Sequence, residues 1–166
     1  MEIWQLFRPL PVAMVTSINE DGSYRCSPFT WLLPISKKDH FVIMMRKESV
    51  TLQNLKKRPE IAVSWMPASR AVAQLIKETK MPENPYRFEM EFPIGFNLPI
   101  PKLSIYALEG RVLEIRSVDI CSDPTHEMVF CRGDRYWLMK DKFYLSLLHV
   151  GFKSFSIPEA FEVEGY

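Results

Sequence analysis

The chain is dominated by short apolar, β-branched runs, each closed by turn or proline chemistry, and this pattern limits it to few architectures. Residues Pro11 to Ile18 read PVAMVTSI. Asn19-Glu20-Asp21-Gly22 then supplies a turn in which Gly22 can adopt positive φ, and a second extended run from Ser23 to Phe29 completes a hairpin. His40 to Arg46, Glu60 to Met66, Leu103 to Ile115, Glu127 to Met139 and Lys142 to Val150 are further strand candidates. Two helices interrupt them. Ser49 to Arg58 carries Leu52 and Leu55 at helical spacing and stops at Pro59. Ser69 to Lys80 places Ala71, Val72, Leu75 and Ile76 on one face, with Ser69 as N-cap and Pro82 beyond its end. Strands outnumber helices, and neither a βαβ alternation nor a repeat is visible. The pattern predicts a mainly β fold, an antiparallel barrel with a few short flanking helices.

Between the helices and the late strands, Met81 to Pro101 holds five of the thirteen prolines together with Tyr86, Phe88, Phe92 and Phe96. It reads as a long aromatic loop, and long loops in compact domains are usually functional. At 166 residues the chain suits one domain spanning 1–166.

Several function classes drop out. The six glycines contain no G-x-G and no G-K-[ST], which removes the dinucleotide fingerprint and the P-loop. No G-x-S-x-G elbow is present. Cys26, Cys121 and Cys131 are odd in number and form no C-x-x-C, so zinc and dithiol readings are weak and a reducing compartment is favoured. The net charge of +1 argues against broad binding to nucleic acid or acidic membranes. The first residues carry no signal-peptide pattern, and no apolar stretch approaches the roughly 20 residues of a membrane span. The expected location is cytoplasmic.

Three segments can carry chemistry. Cys26-Ser27-Pro28-Phe29-Thr30-Trp31 combines hydroxyls, a proline bend and flat aromatic surface. Arg46-Lys47-Glu48-Ser49-Val50-Thr51-Leu52-Gln53-Asn54 places two cations at a strand end and two hydroxyls at a helix start, where unpaired N–H groups attract phosphate. Thr125-His126-Glu127 puts a histidine at a strand start. Each also suits a plainer role: a strand end with core aromatics, a capped surface helix, an exposed histidine. Three dispersed histidines make no metal site, and H-E-x-x-H is absent because position 130 is Phe130. Arg132-Gly133-Asp134 reads as a turn between strand-like halves. Met44-Met45 reads as core filling.

The order of these pieces, S-P-F-T-W, then R-K-x-S-x-T-L-x-N-L, then A-L-E-G-R-V and T-H-E, resembles the flavin reductase-like family of FMN-binding split barrels, over about Phe7 to Phe130. The resemblance implies an antiparallel split β-barrel forming a single FMN-binding domain over 1–166. It implies that Cys26, Ser27, Pro28, Phe29, Thr30, Trp31 and Leu32 line the flavin. It further implies that Arg46, Lys47, Ser49, Thr51 and Asn54 hold its phosphate, and that His126 lies near the nicotinamide. The implied cofactor is FMN, with FAD as the alternative flavin and NAD(P)H as co-substrate. The implied activity passes a hydride from NAD(P)H to flavin and on to a partner monooxygenase or other acceptor, and the implied assembly is a homodimer. An FMN-binding electron carrier without NAD(P)H turnover is the alternative. The aromatic loop also leaves open a non-enzymatic barrel for another small ligand or protein.

Overall fold

The first hairpin forms around a turn held by its own side chains. Asp21 accepts hydrogen bonds from the Ser23 N–H (2.9 Å) and the Ser23 hydroxyl (2.6 Å), and Gly22 sits at φ +85°. These two donors hold the Asp21 carboxyl below its ordinary range. The computed structural model describes residues 10–79, 88–118, 125–138, 148–151 and 154–156. Arg8, Pro9, Lys80, Met81, Tyr86, Cys121 and residues 142–147 of the last expected strand lie outside the described residues.

The described elements are β1 (Leu10–Pro11), β2 (Ala13–Ile18), β3 (Tyr24–Phe29), β4 (Leu32–Pro34), β5 (His40–Arg46), α1 (Val50–Lys57), β6 (Glu60–Trp65) and α2 (Arg70–Thr79). They continue with β7 (Met90–Glu91), β8 (Ile100–Pro101), β9 (Tyr106–Ser117), β10 (His126–Leu138), β11 (Leu148–Gly151) and β12 (Ser154–Ser156). Seven strands form one antiparallel sheet in the order β3-β2-β6-β9-β10-β5-β4. Strands β1, β11 and β12 form a small second sheet, and β7 pairs with β8.

The two edges of the large sheet, β3 and β4, are neighbours in sequence, separated only by Thr30 and Trp31. Laid flat at ~4.8 Å per spacing, seven strands would put those edges about 29 Å apart. The three Cα–Cα steps from Phe29 to Leu32 span at most about 11 Å. The sheet must therefore curl until its edges face each other. Strand β3 pairs with β2 and β4 with β5, so the gap between the edges is a split in the barrel wall. The expected antiparallel split β-barrel is the fold.

Strand alternation sorts side chains to two faces. Inward, Ala13, Val15, Phe41, Ile43, Met45, Ile61, Val63, Val129 and Cys131 form the barrel core, and α1 adds Leu52 and Leu55. Outward, Val12, Met14, Cys26 and Met66 are covered by Val72 and Ile76 of α2 and by Phe88. Ser69 caps α2 as expected, its hydroxyl accepting the Val72 N–H at 3.1 Å. Of the methionine pair, Met45 fills the core while Met44 is half-buried on the other face of β5.

One expectation is corrected. Arg132-Gly133-Asp134 is no turn: β10 runs unbroken through it, with a register shift against β9 between Gly133 and Arg135. Close strand approach explains Gly110, since a Cβ there would collide with the Arg132 carbonyl, while a Cβ on Gly133 would meet the Tyr136 ring. Asp134, bonded to Arg111 and Arg132 at 3.0 Å each, is held on the strand surface. The described part of the aromatic loop packs in part onto the core, while Phe92 and Ile94 stay exposed. Phe96, Leu98 and Ile100 bury against Ala62 and Ala107, and Glu109 accepts the N–H groups of Asn97 (2.6 Å) and Leu98 (2.7 Å).

Candidate functional site

The split in the wall is crossed by Thr30 and Trp31, and Trp31 is fixed there by its backbone and its ring. Its carbonyl accepts the Met44 N–H at 2.9 Å, which continues the β4–β5 ladder past Leu32. Its indole lies 4.9 Å from the His126 ring, tilted by 34°. His126 opens β10 directly opposite Arg46, the last residue of β5. Cross-strand partners share a face, so Trp31, Arg46 and His126 gather on the outer side of the barrel. The Lys47 N–H donates to the Thr125 carbonyl at 3.1 Å and prolongs this pairing. Thr125 Oγ1 lies 2.8 Å from His126 Nδ1.

The chain then turns into α1. The Ser49 N–H donates to the Arg46 carbonyl at 3.0 Å, and the Gln53 amide donates to the Lys47 carbonyl at 2.8 Å. Ser49 occupies the N-cap position with extended backbone, yet its hydroxyl makes no capping bond, and no acidic residue stands in the first turn. The first N–H groups of α1 thus lack a side-chain acceptor, the arrangement that draws an anion to a helix start. Arg46 is 73 % exposed, and its carboxylate neighbour Glu48 lies 4.0 Å away. Such an exposed, long pair holds the guanidinium loosely.

Partial burial, and next the charge of Arg46, lower the His126 pKa, with Glu48 opposing. The imidazole is therefore neutral near pH 7, able to donate through one ring nitrogen and accept through the other.

The residues singled out by sequence do not form one cluster. Trp31, Arg46 and His126 come together, with Lys47 and Ser49 following at the turn. Phe29 and Leu32 pack onto the barrel core. Cys26 faces the opposite side of β3, beneath α2, where burial pushes its thiol up to about 12. Ser27, Pro28 and Thr30 are half-buried along the edge. Thr51 and Asn54 lie on the buried face of α1. The Asn54 amide donates to Ser17 Oγ (3.1 Å) and to Asn19 Oδ1 (2.9 Å), tying α1 to the first hairpin. Among the described residues no group of three or more His, Cys, Asp or Glu is placed to hold a metal ion, and no helix is long and apolar enough to cross a membrane.

Two charged residues that no motif marks also matter. Glu109 clamps the segment before β8 and pairs with Arg135 at 2.7 Å. Arg25, on edge strand β3, has a buried Nε without a hydrogen-bond partner. Its one sequence signal is alternation, which puts it on the same face as Ser27.

A family model described as "Flavin reductase like domain" matches residues 7–156. No curated protein sequence matched the chain. Among solved structures, the chain is similar to the FMN-binding protein from Thermus thermophilus with bound p-hydroxybenzaldehyde (18 % identity, TM-score 0.77, covering 95 % of this chain and 91 % of that one). It is similar to the NADH:FAD oxidoreductase of Streptomyces globisporus (16 % identity, TM-score 0.73, 99 % and 90 % covered). It is also similar to the styrene monooxygenase flavin reductase of Pseudomonas putida S12 (14 % identity, TM-score 0.72, 89 % and 92 % covered).

Proposed function

The chain belongs to the flavin reductase-like family, and from that premise we propose that it is an FMN-binding oxidoreductase using NAD(P)H as co-substrate. The observation that carries this reading is the juxtaposition at the split: the flat Trp31–His126 surface, then Arg46, then the uncapped start of α1. A flavin mononucleotide needs an apolar wall for its ring and charge with donors for its phosphate. The residue types present fit both demands without a glycine-rich loop. Names among the structural neighbours point the same way: one is an FMN-binding protein, one an NADH:FAD oxidoreductase, one the reductase of a monooxygenase.

When bound, the flavin supplies the chemistry, accepting a hydride from NAD(P)H and passing electrons on. The chain's residues bind and orient. Arg46, Lys47, the Ser49 hydroxyl and the free N–H groups of α1 hold the phosphate. Trp31 offers its ring as a wall, and backbone groups of the Ser27–Leu32 segment meet the polar edge of the flavin. Neutral His126 orients the nicotinamide by a hydrogen bond or by stacking and acts as no nucleophile. In this proposal FMN is the flavin, with FAD the alternative, and the domain spans 1–166. The protein is a cytoplasmic homodimer serving a monooxygenase or another acceptor.

The test is a visible absorbance spectrum of the purified protein with and without added FMN, followed by anaerobic addition of NADH or NADPH. Flavin absorbance that bleaches on addition supports the reading. A yellow protein that neither nucleotide bleaches is the electron carrier instead. A protein that takes up no flavin refutes both.

A further inference from the structure

We propose that the open mouth of the barrel is a second ligand site. It takes a single aromatic ring carrying a carboxylate and lies apart from the outer face where Trp31, Arg46 and His126 meet.

The two ends of the barrel differ. Strand β5 ends at Arg46, where the chain enters α1, and α1 closes that end with Leu52 and Leu55. The other end of β5, at His40, lies about 20 Å away along its seven residues. There a cavity of about 230 Å³ opens among Leu32, Phe41, Trp65, Leu108 and Tyr136. Phe41 belongs to the barrel core, and Leu32, Trp65 and Leu108 pack against that core. The cavity is therefore the end of the barrel interior. Leu32, opposite the fully buried Ile43, faces inward, while Trp31 before it meets His126 outside.

Size and walls set the ligand. A cavity of roughly 150 Å³ holds a benzene, and drug-sized ligands take roughly 300–1,000 Å³. At about 230 Å³ the mouth holds one ring with a short substituent and excludes a flavin or nicotinamide nucleotide. One wall is flat and fixed: the Trp65 indole stacks on Tyr106, with ring centres 5.1 Å apart and planes 29° apart. Such a wall favours a planar ring.

The rim offers donors and lacks a free acceptor. Asp39, its one carboxylate, is engaged by the His40 ring at 2.6 Å. Ser36 Oγ accepts the backbone N–H groups of Lys38, Asp39 and His40, which leaves its O–H to donate. The Tyr136 hydroxyl reaches the Lys38 carbonyl at 3.3 Å and ties this turn to β10. The Lys38 ammonium forms no ion pair among the described residues. A hydroxyl donor and a cation at the edge of an aromatic hole match an anionic group on an apolar body.

The experiment is a calorimetric titration of the full-length protein, with and without saturating FMN, by benzoate, benzyl alcohol and cyclohexanecarboxylate. Benzoate should bind at about 1 mM or tighter, equally in both conditions. It should also quench tryptophan fluorescence, a signal lost in W65F. Benzyl alcohol, which has no charge, and cyclohexanecarboxylate, which has no flat ring, should bind about fivefold more weakly or worse. L108F, which fills the cavity, should cost benzoate about tenfold or more. K38Q should cost it about threefold and leave benzyl alcohol unchanged. K38Q lies on an exposed turn and decides the matter should L108F fail to fold. Absence of benzoate binding overturns the proposal. So do displacement of benzoate by FMN, equal affinity for the three compounds, and benzoate affinity that K38Q or a folded L108F leaves unchanged.

Discussion

Replacing Asn54 with alanine tests whether this motif residue acts through the fold or through a ligand. In the structure it is 8 % exposed and donates two hydrogen bonds across 37 and 35 residues of sequence, to Ser17 and Asn19. Each such bond contributes about 1 kcal/mol net, and an acceptor left buried without a donor costs about 1–3 kcal/mol. Ser17 is fully buried, so its hydroxyl bears that cost. The sum is about 2–4 kcal/mol, or roughly 5–15 °C in Tm for a chain of this size. The assay is urea unfolding of the ligand-free protein, N54A against wild type. N54D is the sharper control: it keeps the shape, offers no amide donor, and turns a carboxylate toward the Asn19 oxygen. It should lose at least as much at pH 7. If ligand-free N54A unfolds within about 0.5 kcal/mol of wild type while FMN affinity collapses, Asn54 is a ligand contact and the reasoning fails.

Glu109→Gln should lower Tm by roughly 5–10 °C, because it weakens the charge-assisted bonds to Asn97, Leu98 and Arg135, worth about 2–3 kcal/mol together after allowing for the half-exposed arginine. Calorimetry checks it, and a shift under 1 °C would show that the clamp contributes nothing. His126 should titrate below its ordinary 6.5. Its folded pKa is depressed, so the folded state binds fewer protons, and stability should fall as pH drops from 6.5 toward the folded pKa. This slope should vanish in H126Q. By NMR, R46Q should move the His126 titration upward, and an unchanged titration would separate the two residues.

The strands were legible because each run is long, β-branched and bounded by a turn former. His40–Arg46 is observed at the boundaries its composition suggests. Ser69 announced α2 because capping is a local property of one residue and the N–H groups just after it. Arg132-Gly133-Asp134 misled because glycine next to aspartate is the signature both of a turn and of a bulge. What separates them is the partner strand: Gly110 lies across from Gly133 and admits close approach, and no local window contains that information. What the aromatic loop packs against was hidden for a related reason. Phe96, Leu98 and Ile100 look available until the outer faces of β6 and β9 are known to need covering.

The same distinction explains the site. Motifs mark positions along the chain, while a pocket is assembled by face. In β3 the side chains alternate, so a run of consecutive residues such as Cys26 to Phe29 cannot line one wall: Cys26 serves the core under α2 and Phe29 the barrel interior. Barrel closure supplies the exception, because Thr30 and Trp31 leave the ladder to cross the split, and that departure lets the indole reach His126 from 95 residues along the chain. On the same outer side the exposed Arg46 and the uncapped start of α1 follow, so the crossing of the split sets an indole and an imidazole beside a cation and a helix start.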